Sequence, residues 1–333
     1  MTRQIRNLVF EGGGVWGISY LGVLDYLHQN NWMSSVSRVA GTSAGAITAC
    51  ITSFNLPFTS IKEIVSSLDY KKVPMRSEFN QLDWIPKDVK KFIDDLFGDM
   101  NCLYRLVNNY GWFSTDYFYS WIKDVIAAQF DKGKKRPPYT FADFRNTPLH
   151  KGQLPFYDLY IIGTNLSMKT YEVFSYETTP DMEVAEAVRI SMSIPLIFEA
   201  VKDEVRDVYG NSLTNVFCDG GVMNNYPLTL FDGAVYNTFP YYGINLDTLG
   251  VRFISRLIHT NITNLLEYIE SLLHISTYIQ QENYESNPLN KERSIVIDPY
   301  NINPINFNIS TGDATYEFLY KQGYEGAMNF FNK

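Results

Sequence analysis

A unit of strand, glycine turn and helix occurs twice near the start of this chain, and it limits the fold more than any other feature. The first unit runs from Leu8-Val9-Phe10 through Glu11-Gly12-Gly13-Gly14-Val15-Trp16-Gly17 into a helix, where apolar residues recur at every third position over 18–27. The second passes through Gly41-Thr42-Ser43-Ala44-Gly45 into an apolar helix over 44–54. Two such units in succession predict parallel strands with right-handed crossovers. We therefore expect an α/β fold with three layers, α/β/α, around a central, mainly parallel sheet.

The remaining sequence contains no repeat and no linker, so we expect one domain over residues 1–333. Residues 56–150 are expected to form a mostly helical insertion or cap. Residues 255–333 are expected to be a C-terminal helical part with one late strand. The apolar stripe of the cap is Val89, Phe92, Ile93, Leu96 and Phe97. Further strands are predicted at 157–163, 170–174, 215–218 and 294–297, and helices at 183–191, 262–279 and 316–331.

Charge and composition exclude some classes of protein. The formal net charge is −8 and the pI is near 5.1, so we expect no nucleic acid partner, because phosphate neutralisation needs a basic face. The N-terminal residues lack the apolar region of a secretory signal, and no eighteen apolar residues run together. Three scattered cysteines indicate neither a disulfide framework nor a zinc site. A cytoplasmic location is the expectation, with export as an effector without a signal peptide left open.

The pentapeptide around Ser43 has the G-x-S-x-G pattern of a serine nucleophile on a sharp turn between strand and helix. Gly41 and Gly45 flank the serine where a Cβ would crowd the neighbouring backbone. This turn projects the hydroxyl from the edge of the sheet toward a substrate. Ser43 is therefore our candidate nucleophile.

The earlier glycines permit two interpretations. Gly12, Gly14 and Gly17 formally match the dinucleotide pattern G-x-G-x-x-G. A dinucleotide site also requires a carboxylate at the end of the second strand, and Val39-Ala40-Gly41 stands there. The amides of Gly12, Gly13 and Gly14 fit acyl transfer better, because they precede a helix and can stabilise an oxyanion.

A serine nucleophile needs a base, and the sequence offers histidine or aspartate. None of the four histidines follows a predicted strand; they are His28, His150, His259 and His274. Asp219 does follow one, and Gly220 and Gly221 allow a tight turn and close backbone approach there. The plain alternative is that Asp219 caps the turn. A carboxylate can act as the base if burial raises its proton affinity.

Four ordered blocks resemble the patatin-like phospholipases, a family of acyl hydrolases with a Ser-Asp dyad. The blocks lie between about residues 7 and 230: the glycine block 12–17, the serine pentapeptide 41–45, Ser191-Met192-Ser193-Ile194-Pro195 with Phe198, and the segment 219–227, which begins Asp219-Gly220-Gly221. The resemblance implies that Ser43 is the nucleophile, Asp219 its base and the amides of Gly12, Gly13 and Gly14 the oxyanion hole. It implies no metal and no cofactor. Trp16 departs from the family, since many relatives place Arg or Lys there.

The resemblance further implies a lipid acyl hydrolase of phospholipase A type, which cleaves glycerophospholipid esters through an acyl-serine intermediate. A neutral lipase or general carboxylesterase is the alternative, and a non-catalytic lipid-binding module a weaker one. The expected partners are a phospholipid or other lipid ester and, peripherally, a membrane surface. A protein activator remains open.

Overall fold

The computed structural model describes residues 4–332, except 76–99, 153, 207–208, 238–240, 242, 255, 257–258, 260 and 264. The predicted apolar stripe between Val89 and Phe97 lies outside the described residues. No helix among those described is both long and apolar enough to cross a bilayer.

A central sheet organises the fold. Its order is β10-β9-β1-β2-β4-β8-β7. The remaining strand, β5, pairs with the edge of β4 that does not contact β2 and β8. Five of these strands run parallel, namely β1, β2, β4, β9 and β10, whereas β5, β7 and β8 join by antiparallel pairing. The strands are β1 Asn7–Phe10, β2 Arg38–Thr42, β4 Asp158–Asn165, β5 Thr170–Phe174, β7 Val201–Arg206, β8 Ser212–Asp219, β9 Thr248–Phe253 and β10 Ser294–Ile297. A separate pair is formed by β3 Gly111–Phe113 and β6 Leu196–Phe198.

The two faces of the sheet are covered differently. On β1, Leu8 and Phe10 face the large core, whereas Val9 between them faces a smaller one with Tyr160 and Phe231. This alternation follows from the two-residue period of a strand. Helices cover the large core. The segment that follows β8 covers the small core, together with Tyr284 of the helix Leu265–Glu285. The helices are α1 Ile18–Gln29, α2 Ala44–Ser53, α3 Phe58–Ser66, α4 Met100–Asn109, α5 Asp116–Ala127, α6 Phe141–Arg145, α7 Val184–Ser191, α8 Gly221–Asn224, α9 Leu265–Glu285, α10 Pro288–Glu292 and α11 Ala314–Phe331. The predicted three-layer α/β/α fold is confirmed.

Strand β4 brings two chain segments end to end. Its residues Ile161 and Ile162 pair with both β2 and β5, and Gly163 pairs with both β5 and β8. Because a strand has only two edges, β2 and β8 share one edge of β4 and β5 takes the other. Thr42 is the partner of Ile162, and Asp219 is the partner of the next residue, Gly163. The ends of β2 and β8 therefore meet at one point of the sheet.

Most predicted elements are present, with one central omission. Strand β9, between β1 and β10, was not predicted, because Gly250 and Arg252 interrupt its apolar character. Arg252 is nevertheless 5% exposed and pairs with Glu285 at 2.8 Å. The predicted helix over 262–279 begins later, at Leu265.

Within 56–150, the described elements are helices together with β3, and several of their side chains join the large core. Ile61 of α3 and Phe118 and Ile122 of α5 are buried there. The role of this region as a cap stays a prediction.

Candidate active site

Ser43 occupies the sharp turn between β2 and α2. Its backbone has φ 54° and ψ −122°, a conformation that costs a non-glycine residue about 1–3 kcal/mol. A Cβ at Gly41 would lie 2.1 Å from the Gly45 carbonyl oxygen, and one at Gly45 would lie 2.3 Å from that of Phe10. Both flanking glycines are thus required sterically, as the sequence predicted.

A buried serine fastens this strained turn. Ser191, at the end of α7, accepts a hydrogen bond from the Ser43 N–H at 2.9 Å and donates one to the Ile162 carbonyl at 2.6 Å. The Ser43 carbonyl accepts from the Ala46 N–H at 2.9 Å within the first turn of α2. The turn is held from both the sheet and the helix. The sequence placed Ser191 in a family block but assigned it no role.

Asp219 lies beside Ser43, as the strand register requires. Its Oδ1 accepts a hydrogen bond from the Gly221 N–H at 2.7 Å, and its carboxyl faces the side chain of Ser43. Burial raises the pKa of Asp219 from 3.8 to about 7; the Ser43 hydroxyl and the Gly221 N–H partly offset this rise. The carboxyl therefore has the proton affinity of a base that works near neutral pH.

The glycines after Asp219 allow the two strand ends to touch. A Cβ at Gly220 would lie 2.4 Å from the Ile162 carbonyl oxygen and 3.0 Å from Thr42 Cγ2, and one at Gly221 would lie 2.9 Å from Asp219 Oδ1. The Thr42 hydroxyl donates to the Asn224 carbonyl at 2.8 Å. These contacts join the serine turn directly to the aspartate turn.

The glycine block differs in detail from the prediction. The Gly12 N–H donates to the Asn225 carbonyl at 2.9 Å, so it is engaged in the fold and the candidate oxyanion donors narrow to Gly13 and Gly14. Neither of these two amides has an acceptor within the described part of the chain. Gly14 has φ +54°, and a Cβ there would lie 2.1 Å from the Pro304 carbonyl oxygen. Gly17 packs tightly on α2, since its Cβ would lie 2.9 Å from that of Ala44.

Glu11 anchors the glycine block, a role that the sequence did not reveal. Its Oε2 accepts from the Phe253 N–H at 2.7 Å and its Oε1 from Asn225 Nδ2 at 3.3 Å. Asn225 Nδ2 also reaches the Gly12 carbonyl at 3.2 Å. Burial raises the pKa of Glu11 to about 7, although the Phe253 N–H and Arg252 lower it. These partners lie more than 200 residues apart in sequence, and no local pattern signals them.

None of the four histidines, all within the described residues, is recorded in contact with Ser43 or Asp219. His150 is buried, contacts the Leu154 carbonyl at 2.8 Å and stacks on Phe156 with ring centroids 3.6 Å apart. His28, on α1, lies near Phe58 of α3. His259 is exposed, and His274 lies within α9. In the described part of the chain, Ser43 and Gly221 are the groups that contact the Asp219 carboxyl, and no histidine is among them.

Trp16 is a packing residue in this chain. Its indole Nε1 donates to the Ile302 carbonyl at 2.7 Å, and its ring lies 5.3 Å from that of Phe253. The neighbouring Val15 N–H donates to the Pro304 carbonyl at 2.9 Å. Trp16 and Val15 therefore anchor the segment before α11. Within the described residues no cluster of His, Cys, Asp and Glu suits a metal ion.

A groove opens beside the nucleophile between α1 and α2, and we call it the α1–α2 groove. Its cavity volume is about 60 Å³, which is far smaller than the cavities that enclose drug-sized ligands. Gly14, Gly17 and Ala44 form the end nearest Ser43. The other lining residues are almost all apolar or aromatic: Ile18, Leu21, Leu24, Ile47, Thr48, Ile51, Ile61, Val65, Leu68, Tyr70 and Trp121.

Comparisons with known proteins agree with this geometry. The family profile described as "Patatin-like phospholipase" matches residues 8–232. An uncharacterized protein, R571 of Acanthamoeba polyphaga mimivirus, is 29% identical over 95% of this chain and 90% of its own length. YqhO of Bacillus subtilis, also uncharacterized, is 30% identical over 67% of this chain and 65% of its length.

Two further comparisons are with a relative that has a functional name and with a different protein whose structure is solved. A "probable lipid hydrolase", 463L of Invertebrate iridescent virus 6, is 26% identical over 68% of this chain and 63% of its length. The structure of VipD from Legionella pneumophila has a TM-score of 0.55 at 19% identity, over 99% of this chain and 67% of VipD; this likeness concerns the fold alone. The profile match covers the glycine block, the serine turn and the aspartate turn together, and the chain belongs to the patatin-like phospholipase family.

Proposed function

We propose that this chain is a serine-dependent lipid acyl hydrolase of phospholipase A type, with Ser43 as nucleophile and Asp219 as base. The observation that carries the proposal is the placement of both buried side chains at one point of the sheet, where the ends of β2 and β8 meet beside β4. Ser43 is 6% exposed and Asp219 is 5% exposed. Burial makes the carboxylate basic enough to accept the serine proton.

The reaction begins when Ser43 Oγ attacks the ester carbonyl carbon and its proton moves to Asp219. The developing oxyanion accepts hydrogen bonds from the Gly13 and Gly14 amides, and each such donor contributes about 10²–10³ in rate. The bond between the acyl carbon and the alcohol oxygen then breaks, and Asp219 returns the proton to the leaving alcohol. The acyl group remains on Ser43.

Water completes the cycle. It attacks the acyl carbon and gives its proton to Asp219, the bond to Ser43 Oγ breaks, and Oγ recovers the proton. The products are one fatty acid and one alcohol, and no redox partner is required. Gly41, Gly45, Gly220 and Gly221 support the reaction by permitting the close backbone contacts that hold the dyad.

A lipid ester is favoured as substrate because the chain belongs to the patatin-like phospholipase family and a relative with 26% identity is named a probable lipid hydrolase. A substrate of this kind brings the protein into peripheral contact with a lipid surface. No cofactor enters any step.

A neutral lipase or carboxylesterase is the second candidate, and Trp16 favours it. The indole stands where many relatives have a cation, and its N–H is already bound to Ile302. The site thus lacks one expected contact for a phosphate. Purified protein should be compared on phosphatidylcholine liposomes, monoacylglycerol and short p-nitrophenyl esters.

The deciding experiment is mass spectrometry of lipids released from defined liposomes, with Ser43→Ala as the control. Release of fatty acid and lysophospholipid by the wild type alone supports the phospholipase. Hydrolysis of monoacylglycerol without phosphatidylcholine favours the neutral lipase. Lipid binding without any turnover would instead indicate the non-catalytic module.

A further inference from the structure

The side chain of Gln280, on α9, is hydrogen-bonded to the segment that follows Asp219. Its Oε1 accepts from the Asn225 N–H at 2.7 Å, and its Nε2 donates to the carbonyls of Gly221 and Val222 at 3.0 and 3.2 Å. Gly221 in turn donates its N–H to Asp219. One side chain thus touches both ends of the short helix α8.

The same network reaches the glycine block. Asn225 accepts from the Gly12 N–H through its carbonyl and donates to Gly12 and Glu11 through its amide. The line of hydrogen bonds from Glu11 through Asn225, Gln280 and Gly221 ends at Asp219. It links the anchor of the oxyanion donors to the base.

We propose that Gln280 is a positioning residue that sets Asp219 against the oxyanion donors, an inference that rests on the proposed function. It touches neither the substrate nor the reacting atoms. Removing it frees Gly221, and a displacement of about 1 Å can cost up to 10²-fold in rate. Gln280→Ala should therefore lower kcat about tenfold or more on a soluble ester and leave KM nearly unchanged.

The pH profile distinguishes positioning from a general loss of structure. The hydrogen bond from Gly221 lowers the pKa of Asp219, so loosening it should move the acid limb of kcat to higher pH. Gln280→Glu gives a second reading: its carboxylate still accepts from Asn225 but repels the Gly221 and Val222 carbonyls until it is protonated. The activity of this variant relative to wild type should rise as the pH falls.

The matched control is Gln281→Ala, the next residue, whose amide binds Glu285 at 2.7 Å and not α8. It should keep the wild-type kcat and acid limb. Far-UV circular dichroism and the melting temperature establish that all three variants are folded. An unmoved acid limb in Gln280→Ala with a constant activity ratio in Gln280→Glu would overturn the proposal.

Discussion

Asp219→Asn should abolish turnover and at the same time stabilise the protein. The native carboxyl is 5% exposed, and burial raises its pKa from 3.8 to about 7. The folded state therefore holds a proton that the unfolded state releases between these two pH values. Because the folded state binds more protons there, stability falls as the pH rises from about 4 to 7.

The size of the effect follows from the same two pKa values. The difference between 3.8 and about 7 corresponds to about 4 kcal/mol at 1.36 kcal/mol per pH unit. An asparagine carries no charge and can still accept from the Gly221 N–H. We expect the variant to be about 4 kcal/mol more stable than the wild type at pH 8, and about 1–2 kcal/mol more stable at pH 5.

The assay is guanidinium chloride unfolding at both pH values, followed by far-UV circular dichroism. Asp203→Asn is the control, since Asp203 is exposed on β7 and the substitution changes the net charge equally. It should shift the free energy of unfolding by less than about 0.5 kcal/mol. A variant at position 219 that is destabilised, or equally stabilised at both pH values, would refute the reasoning.

Three further predictions concern the site. The acid limb of kcat/KM should have its midpoint near pH 7, because Asp219 must be ionised to accept a proton and its pKa is about 7. The Glu11→Gln variant should retain this acid limb. If the acid limb disappears in that variant, it belongs to Glu11 and not to Asp219. Ser191→Ala should lower the free energy of unfolding by about 1–3 kcal/mol and reduce kcat, because it removes the acceptor of the Ser43 N–H. Ser193→Ala is the control, because Ser193 contacts the Asp219 N–H through its backbone carbonyl, which the substitution keeps. Equal kcat values for the Ser191→Ala and Ser193→Ala variants would contradict the role of Ser191. Hydrolysis should survive 5 mM EDTA, which is about the concentration used to strip bound calcium or zinc, because no step requires a metal; activity lost in EDTA and restored by calcium would contradict it.

The two residues of the proposed dyad could be selected from the sequence because each lies within a short motif. Glycines flank Ser43 and follow Asp219 for steric reasons that act within a few residues, so the pattern is visible locally. The strand pairing that brings the two motifs together was predictable only as a fold class. The shared edge of β4, where Thr42 and Asp219 take neighbouring places, requires the register of three strands.

The supporting contacts were not predictable for a different reason. Glu11 and Phe253 meet across 242 positions, and Gln280 reaches Asn225 across 55. Nothing in the local sequence marks either pair. Strand β9 was missed because its buried Arg252 resembles a surface residue until Glu285 is placed beside it. Gly12 was taken as an oxyanion donor because its conflicting partner, the Asn225 carbonyl, lies far along the chain.

The central claim is that Ser43 is a nucleophile activated by Asp219 alone. A fluorophosphonate probe tests it most directly, with intact mass and peptide mapping used to locate the adduct at pH 8. We predict one adduct, on Ser43, formed by the wild type, absent in Ser43→Ala and at least tenfold slower in Asp219→Asn. The four histidine-to-alanine variants should label at the wild-type rate. Equal labelling of wild type and Ser43→Ala, or loss of labelling in a histidine variant, would contradict the account.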